Sequence, residues 1–223
     1  WWRFFLSGKY REKMRAAMTE RICIISAAFV LDMIFGDPYW LYHPVRLIGA
    51  AVGRTEQILW NILHICPERE VDRRKKKIAG LILVIIVLCL STGVPLLLLL
   101  ALQQIHPWLR IVAETFMCYQ LLAMKSLKTE SMKVYAALKA GDVEKARHAV
   151  SMIVGRDTEA LTEEGIIKAA VETVAENTSD GVIAPMLFMM LFGVAGGFFY
   201  KAANTMDSMV GYKNDRYLYF GRC

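Results

Sequence analysis

The chain has 223 residues, 56% of them hydrophobic, a formal net charge of +6, a pI near 9.1 and a mean hydropathy of +0.35. Its apolar residues come in blocks rather than with a regular period, which argues against an ordinary soluble domain and for membrane segments. The basic residues lie beside those blocks, as topogenic charge and contacts to an anionic substrate require, so nucleic acid is set aside as a partner.

Residues 1–21 read as a basic, aromatic leader, either an interfacial helix or a non-native addition. Ile22 to Gly36 is an apolar segment broken only by Ser26 and Asp32, short of the ~20 residues a full span needs, and Gly36-Asp37-Pro38 ends it. Tyr42-His43-Pro44-Val45-Arg46 then opens a helical run in which Gly49 and Gly53 invite the close approach of another helix. The Glu68–Lys77 segment reads as a charged cytoplasmic loop ending in five consecutive basic residues.

Ile78 to Leu102 carries no charge and is the clearest transmembrane helix. Pro107 to Met124 is a weaker apolar segment, expected to return through the bilayer so that both flanking basic loops share the cytoplasmic side. The leader would then lie outside if Ile22–Gly36 spans, against the charge rule, so either that segment re-enters or the leader is not native. Lys125 to Val150 predicts an amphipathic helix broken at Gly141-Asp142, and Glu159 to Glu176 a second helix with acidic residues in its first turn. Val182 to Tyr200 is apolar but interrupted by Gly193, Gly196 and Gly197. A straight helix would hold its ends ~30 Å apart. A bend at the glycines would make a re-entrant hairpin and bring the ends together, which is the preferred reading. The fold class is therefore all-α: a multi-pass integral membrane protein with cytoplasmic amphipathic helices and a re-entrant hairpin.

The ends of that glycine-broken segment carry the chemistry. Asn177-Thr178-Ser179-Asp180 stands on one side and Asn204-Thr205-Met206-Asp207 on the other, two copies of Asn-Thr-x-Asp. Polar groups this dense beside apolar sequence are costly to desolvate and call for a function. The carboxylates Asp37, Asp157, Glu172, Glu176, Asp180, Asp207 and Asp215 form a hard-oxygen set suited to Mg²⁺ shared with substrate phosphates. Asp180 and Asp207 lead it; Asp37 reads as weaker because Gly-Asp-Pro is a plain turn. Asn177 and Asn204 either cap helices or bind ligand. Arg46, Arg156, Lys213 and Arg216 either clamp anions or snorkel at an interface. No P-loop, dinucleotide fingerprint, His-Glu-x-x-His or Cys-x-x-Cys occurs, and the four histidines and five cysteines are scattered.

Three motifs, Gly155-Arg156-Asp157-Thr158, Glu172 through Pro185 and Asn204 through Phe220, resemble the CbiB/CobD family of cobalamin biosynthesis. So do Leu31-Asp32, Gly36-Asp37-Pro38 and His43 through Gly49. The resemblance implies an adenosylcobinamide-phosphate synthase of the bacterial or archaeal cell membrane, with its site on the cytoplasmic side. Such an enzyme joins aminopropanol, or its O-phosphate, to the free propionate of adenosylcobyric acid, using ATP and Mg²⁺. The site residues it implies are Asp157, Asp180 and Asp207 on the metal, and His43, Arg46, Arg156, Lys213 and Arg216 on substrate or phosphate. Glu172, Glu176, Asn177 and Asn204 would serve the catalytic step, a glutamate taking the proton of the attacking ammonium. The corrinoid is then substrate rather than cofactor, and other pathway enzymes are expected neighbours. The resemblance also implies a domain from 22 to 223 truncated at its C-terminus. A permease subunit or a pathway scaffold are the rival readings.

Overall fold

The computed structural model describes residues 8–38, 40–65, 73–155, 157–214 and 216–222, and among these the regular structure is entirely helical. In chain order the helices are α1 (Gly8–Phe35), α2 (Pro44–Ile62), α3 (Arg73–Ile105), α4 (Pro107–Tyr119), α5 (Met124–Lys139), α6 (Val143–Ser151), α7 (Glu163–Thr178) and α8 (Ala184–Val210). A single π-helical turn, Ser179–Ile183, joins α7 to α8.

Two cores hold these helices. The larger is built by α1–α4 and α8 around Val52, Leu83, Val87, Leu121, Leu122, Met189 and Ala202, all fully buried. The smaller is built by α5–α7 around Val134, Ala146, Val150, Ile166 and Ala169. The break expected at Gly141-Asp142 is present: Gly141 takes φ +74°, and Asp142 Oδ1 accepts from the backbone of Lys145 at 3.0 Å to start α6. Thr162 likewise caps α7, whose first turn holds Glu163 and Glu164, the charge that the positive end of a helix favours. Of the two α2 glycines, Gly49 faces the Met209 sulfur of α8, whereas Gly53 has open space where a Cβ would stand.

Three boundaries differ from the sequence reading. α1 runs continuously from Gly8, so residues 8–21 extend the Ile22–Gly36 segment instead of standing apart from it. The basic cluster Arg73–Lys77 is the first turn of α3 and not part of a loop; residues 66–72 lie outside the described residues. α4 has 13 residues, ~20 Å of helix, too short to return across a ~30 Å hydrocarbon layer. Among the described residues, two stretches are long and apolar enough to cross a membrane: α3, and the run from α7 through α8. Only 22% of the apolar window of α3 is buried, and Leu81, Val94 and Leu97 are among its exposed side chains.

The expected bend is there. Gly193 takes φ 70° and ψ −165° inside α8, a conformation open in practice to glycine alone. The arms on either side fold back on each other: Phe188 stacks on Phe199 with centroids 6.4 Å apart. A Cβ on Gly197 would stand 2.6 Å from Met189, and one on Gly196 2.5 Å from the Phe188 carbonyl. Charges brace the tip. Arg21 donates to the carbonyls of Met190 and Leu191 at 3.0 Å each. Beside it Arg110 pairs with Glu114 at 2.6 Å and also with Glu20.

Gly193→Ala is expected to lower stability by about 1–3 kcal/mol, read as a fall in the thermal midpoint of the purified chain in detergent. Gly53→Ala, in open helix, should leave the midpoint unchanged or raise it. Equal midpoints for the two variants would show that the bend does not need glycine.

Candidate functional site

Because the hairpin returns, the two Asn-Thr-x-Asp copies meet. Asn204 Nδ2 donates to Asp180 Oδ2 at 2.9 Å, and Tyr200 Oη donates to Asp180 Oδ1 at 3.0 Å. Both oxygens of the Asp180 carboxylate are thus fixed by side chains more than one helical turn beyond the bend. The π-turn that carries Asp180 makes this reachable. One extra residue per turn rotates the side chain off the α7 face, as such turns do at many functional sites. Lys201 Nζ donates to the Asp180 carbonyl at 3.3 Å and closes the turn from the other arm.

A second group lies across Lys201. Gly36, at φ +63°, turns the chain out of α1 against the Lys125 side chain. The turn sets Asp37 against α5: Ser126 Oγ donates to Asp37 Oδ2 at 2.8 Å and accepts from the Asp37 backbone at 3.3 Å. His43 Nε2 is 3.5 Å from Asp37 Oδ1, while His43 Nδ1 accepts from Val45 N at 3.2 Å and so caps α2. With Nδ1 accepting, the neutral ring carries its proton on Nε2, aimed at the carboxylate. Burial, the largest influence, pushes the Asp37 carboxyl up. Hydrogen bonding by His43 and Ser126, with the charges of His43 and Lys201, outweighs it and holds the group below the ordinary carboxylate value. Nearby Asp32, fully buried, accepts from Met124 N at 2.7 Å. It supplies from α1 the cap that Ala123 cannot give α5.

The two groups line adjoining cavities. One, of about 460 Å³, is bounded by Asp37, His43, Arg46, Gln120, Ser126 and Lys201, among others. The other, of about 250 Å³, is bounded chiefly by Ser126, Glu130, Asn177, Asp180, Lys201 and Asn204. Ala123, Ser126 and Lys201 belong to both, so the pair forms one continuous cleft. Its acidic half holds Asp180 and Glu130, the latter neutralised by Lys133 at 2.7 Å. Its basic half holds His43, Arg46 and Lys201 around Asp37.

Of the residues expected from sequence, His43, Arg46, Asn177, Asp180 and Asn204 come together in this cleft. The others lie elsewhere. Asp207 borders a separate cavity against α3 and the C-terminal segment. Asp157 is exposed, its carboxylate accepting from Glu159 N at 3.0 Å in a local turn. Glu172 and Glu176 are exposed on α7, Glu172 lying 3.9 Å from Lys168. Lys213 is exposed. Arg216 is held by Glu56, at 2.8 and 3.2 Å, and lies over the Trp60 ring at 4.8 Å. Glu56 is 7% exposed, and Tyr217 also donates to it at 3.4 Å. This pair ties the C-terminal segment to α2 and draws the Arg216 guanidinium away from the cleft. Arg156 and Asp215 lie outside the described residues.

Asp157, Asp180 and Asp207, expected to share a metal, stand on three separate stretches. Among the described residues no three His, Cys, Asp or Glu side chains gather to hold an ion. A metal held by protein carboxylates alone does not fit the cleft. A magnesium arriving on substrate phosphates needs only one or two protein oxygens, a number the carboxylates lining the cleft do supply.

Sequence reasoning missed Lys201, Ser126, Glu130 and Glu56. Lys201 was hidden as a single charge following an apolar run. Its one signal was the cost of placing an ammonium between two motif segments.

Residues 25–223 match the family model described as CobD/Cbib protein. The chain is 42% identical over 204 residues to a cobalamin biosynthesis protein CobD of Geobacter metallireducens, covering 92% of this chain and 61% of the relative. It is 45% identical over 197 residues to one of Clostridium perfringens, covering 88% and 60%. With one of Klebsiella pneumoniae it shares 41% over 194 residues, covering 87% and 59%. The chain therefore spans about three fifths of the length of the curated relatives it matches. No solved structure matches it.

Asp37 predicts a pH dependence. A carboxyl held below its ordinary value, 3.8, adds stability that is complete above that value and is lost as pH falls through the folded-state value. The stability difference between the native chain and Asp37→Asn should therefore shrink as pH falls below about 4. A difference that keeps growing below about pH 4 would contradict this geometry. Separately, Arg216→Ala should lower the thermal midpoint more than Glu56→Ala, since it leaves a buried carboxylate without its cation, whereas the half-exposed guanidinium left by Glu56→Ala is open to water.

Proposed function

Since the chain belongs to the CobD/CbiB family of cobalamin biosynthesis, we propose that it is an adenosylcobinamide-phosphate synthase. In this reading it forms the amide between aminopropanol, or its O-phosphate, and the free propionate of adenosylcobyric acid, with hydrolysis of ATP. The observation that carries the proposal is the bond between Asp180 and Asn204. Through it two of the motif segments, Glu172 through Pro185 and Asn204 through Phe220, meet at one cleft with separate acidic and basic halves.

Acid–amine ligation needs both halves. The carboxylate must be activated by phosphoryl transfer, which calls for cations and helix N-termini around the phosphates. The basic half supplies Arg46, Lys201 and the first turn of α2. The amine enters as an ammonium and must lose a proton before attack. The acidic half offers Asp180, held in place by Tyr200 and Asn204, to bind it. Asn177, whose side-chain nitrogen donates to the Thr173 carbonyl at 3.0 Å, lines the same wall. Glu172 and Glu176 are exposed on α7 and do not line the cleft, so Asp180 takes the role here. Bound magnesium would neutralise phosphate charge as it develops.

The bilayer is the proposed environment. α3 and the α7–α8 run have the length and apolarity to enter it. The exposed apolar residues on α3 form a surface that water would not favour. The bent hairpin, its arms packed on each other, suits re-entry from the cytoplasmic side.

Membranes holding the full chain, given adenosylcobyric acid, aminopropanol phosphate, ATP and Mg²⁺, are expected to yield the amide, identified by mass. Omitting ATP should abolish it, and Asp180→Ala should cut the rate by about a hundredfold or more. Substrate flux into liposomes without ATP-coupled amide formation would favour a permease instead.

A further inference from the structure

We propose that Lys201 is an oxyanion-binding residue, holding a phosphoryl or carboxylate oxygen where the two cavities of the cleft meet. The residue is 9% exposed, and it lines both cavities. An ammonium has three donors. Among the described residues Lys201 uses one, on the Asp180 carbonyl at 3.3 Å, and forms no ion pair within 4.0 Å.

A lysine that served only to balance a buried carboxylate would aim its nitrogen at that carboxylate. Here the nearest acidic oxygens are already served. Asp180 accepts from Tyr200 and Asn204. Asp37 accepts from Ser126 and faces His43. The ammonium has been left with unused donors in a place where desolvation is costly.

The surroundings agree in sign. Arg46, on the wall of the same cavity, has no ion-pair partner among the described residues. Val45 and Arg46 belong to the first turn of α2, whose positive end adds partial charge. Two carboxylates, Asp37 and Asp180, act on Lys201 from opposite sides, each already holding its own hydrogen-bond donors. An oxyanion at the junction would take up the donors of Lys201 that these carboxylates do not use. The inference shares its cleft with the ligase reading, which it rests on only for the choice of anions: a nucleotide phosphate or the carboxylate of the acid.

The test uses the full chain in detergent. Pyridoxal phosphate followed by borohydride tags lysines that sit in anion sites, and peptide mass mapping locates the tag. Lys201 is expected to be tagged. Protection by inorganic phosphate or ATP would identify a phosphoryl site; protection by propionate would identify a carboxylate site. No tag at Lys201, or a tag that neither phosphate, ATP nor propionate reduces, overturns the proposal. Calorimetric titration of the protecting anion gives the second measurement. Lys201→Gln should weaken binding by about tenfold or more, and Lys201→Arg should retain most of it. Full affinity in a folded Lys201→Gln chain also overturns the proposal. If that variant does not fold, the tagging of the unaltered chain decides. Anion binding without amide product would count against the ligase reading alone. Amide product with Lys201→Gln binding anions normally would count against this inference alone.

Discussion

The site depends on one carboxylate held from the far side of a bend. Asp180 leaves the π-turn after α7, and the residues that fix it, Tyr200 and Asn204, lie 20 and 24 positions later. Those residues reach it only because the chain reverses between them. A hydrogen-bonded carboxylate in a partly buried place is stable when its oxygens are satisfied and costly when they are not. The two arms of the hairpin and the polar cluster at its mouth therefore stabilise each other.

The reversal has causes at both ends. At the tip, Gly193 alone can take the positive φ, and Gly196 and Gly197 let the arms touch. Arg21 donates to two carbonyls just before the bend, those of Met190 and Leu191. Arg21 is itself placed by α1, and α1 ends in the Gly36 turn that sets Asp37 into the cleft. One helix thus steadies the hairpin at its tip and supplies a wall of the cleft ~20 Å away. This is why the extension of α1 back to Gly8 matters to the site and not only to the fold.

The cleft separates charge along its length. Carboxylate and amide groups gather around Asp180, and cationic groups gather around Arg46 and the start of α2, with Lys201 between. A reaction that brings an anionic acyl group and a cationic amine to one point benefits from such a division. Each reactant meets its complement before they meet each other. Arg216 illustrates the opposite use of charge. Its guanidinium is spent on a buried glutamate and two aromatic rings, and it secures the C-terminal segment rather than a ligand.

Local sequence determined much of this protein. The unbroken apolar run of α3, the Gly141-Asp142 break, the acidic start of α7 and the glycine-interrupted segment are visible because each depends on nearby residues only. The echo of Asn-Thr-x-Asp marked Asp180 and Asn204 for the same reason. What the tertiary structure decided was partnership. Asp207 matches Asp180 in the echo, yet it borders the cavity against α3 and the C-terminal segment instead. Arg216 and Lys213 share a motif with it but fold against α2 or into the open. Lys201 and Ser126 carry no motif, and only the packing of α1, α5 and α8 gives them a place in the cleft. Which polar groups meet across long separations is set by how helices dock, and the spacing of residues along one helix does not encode that.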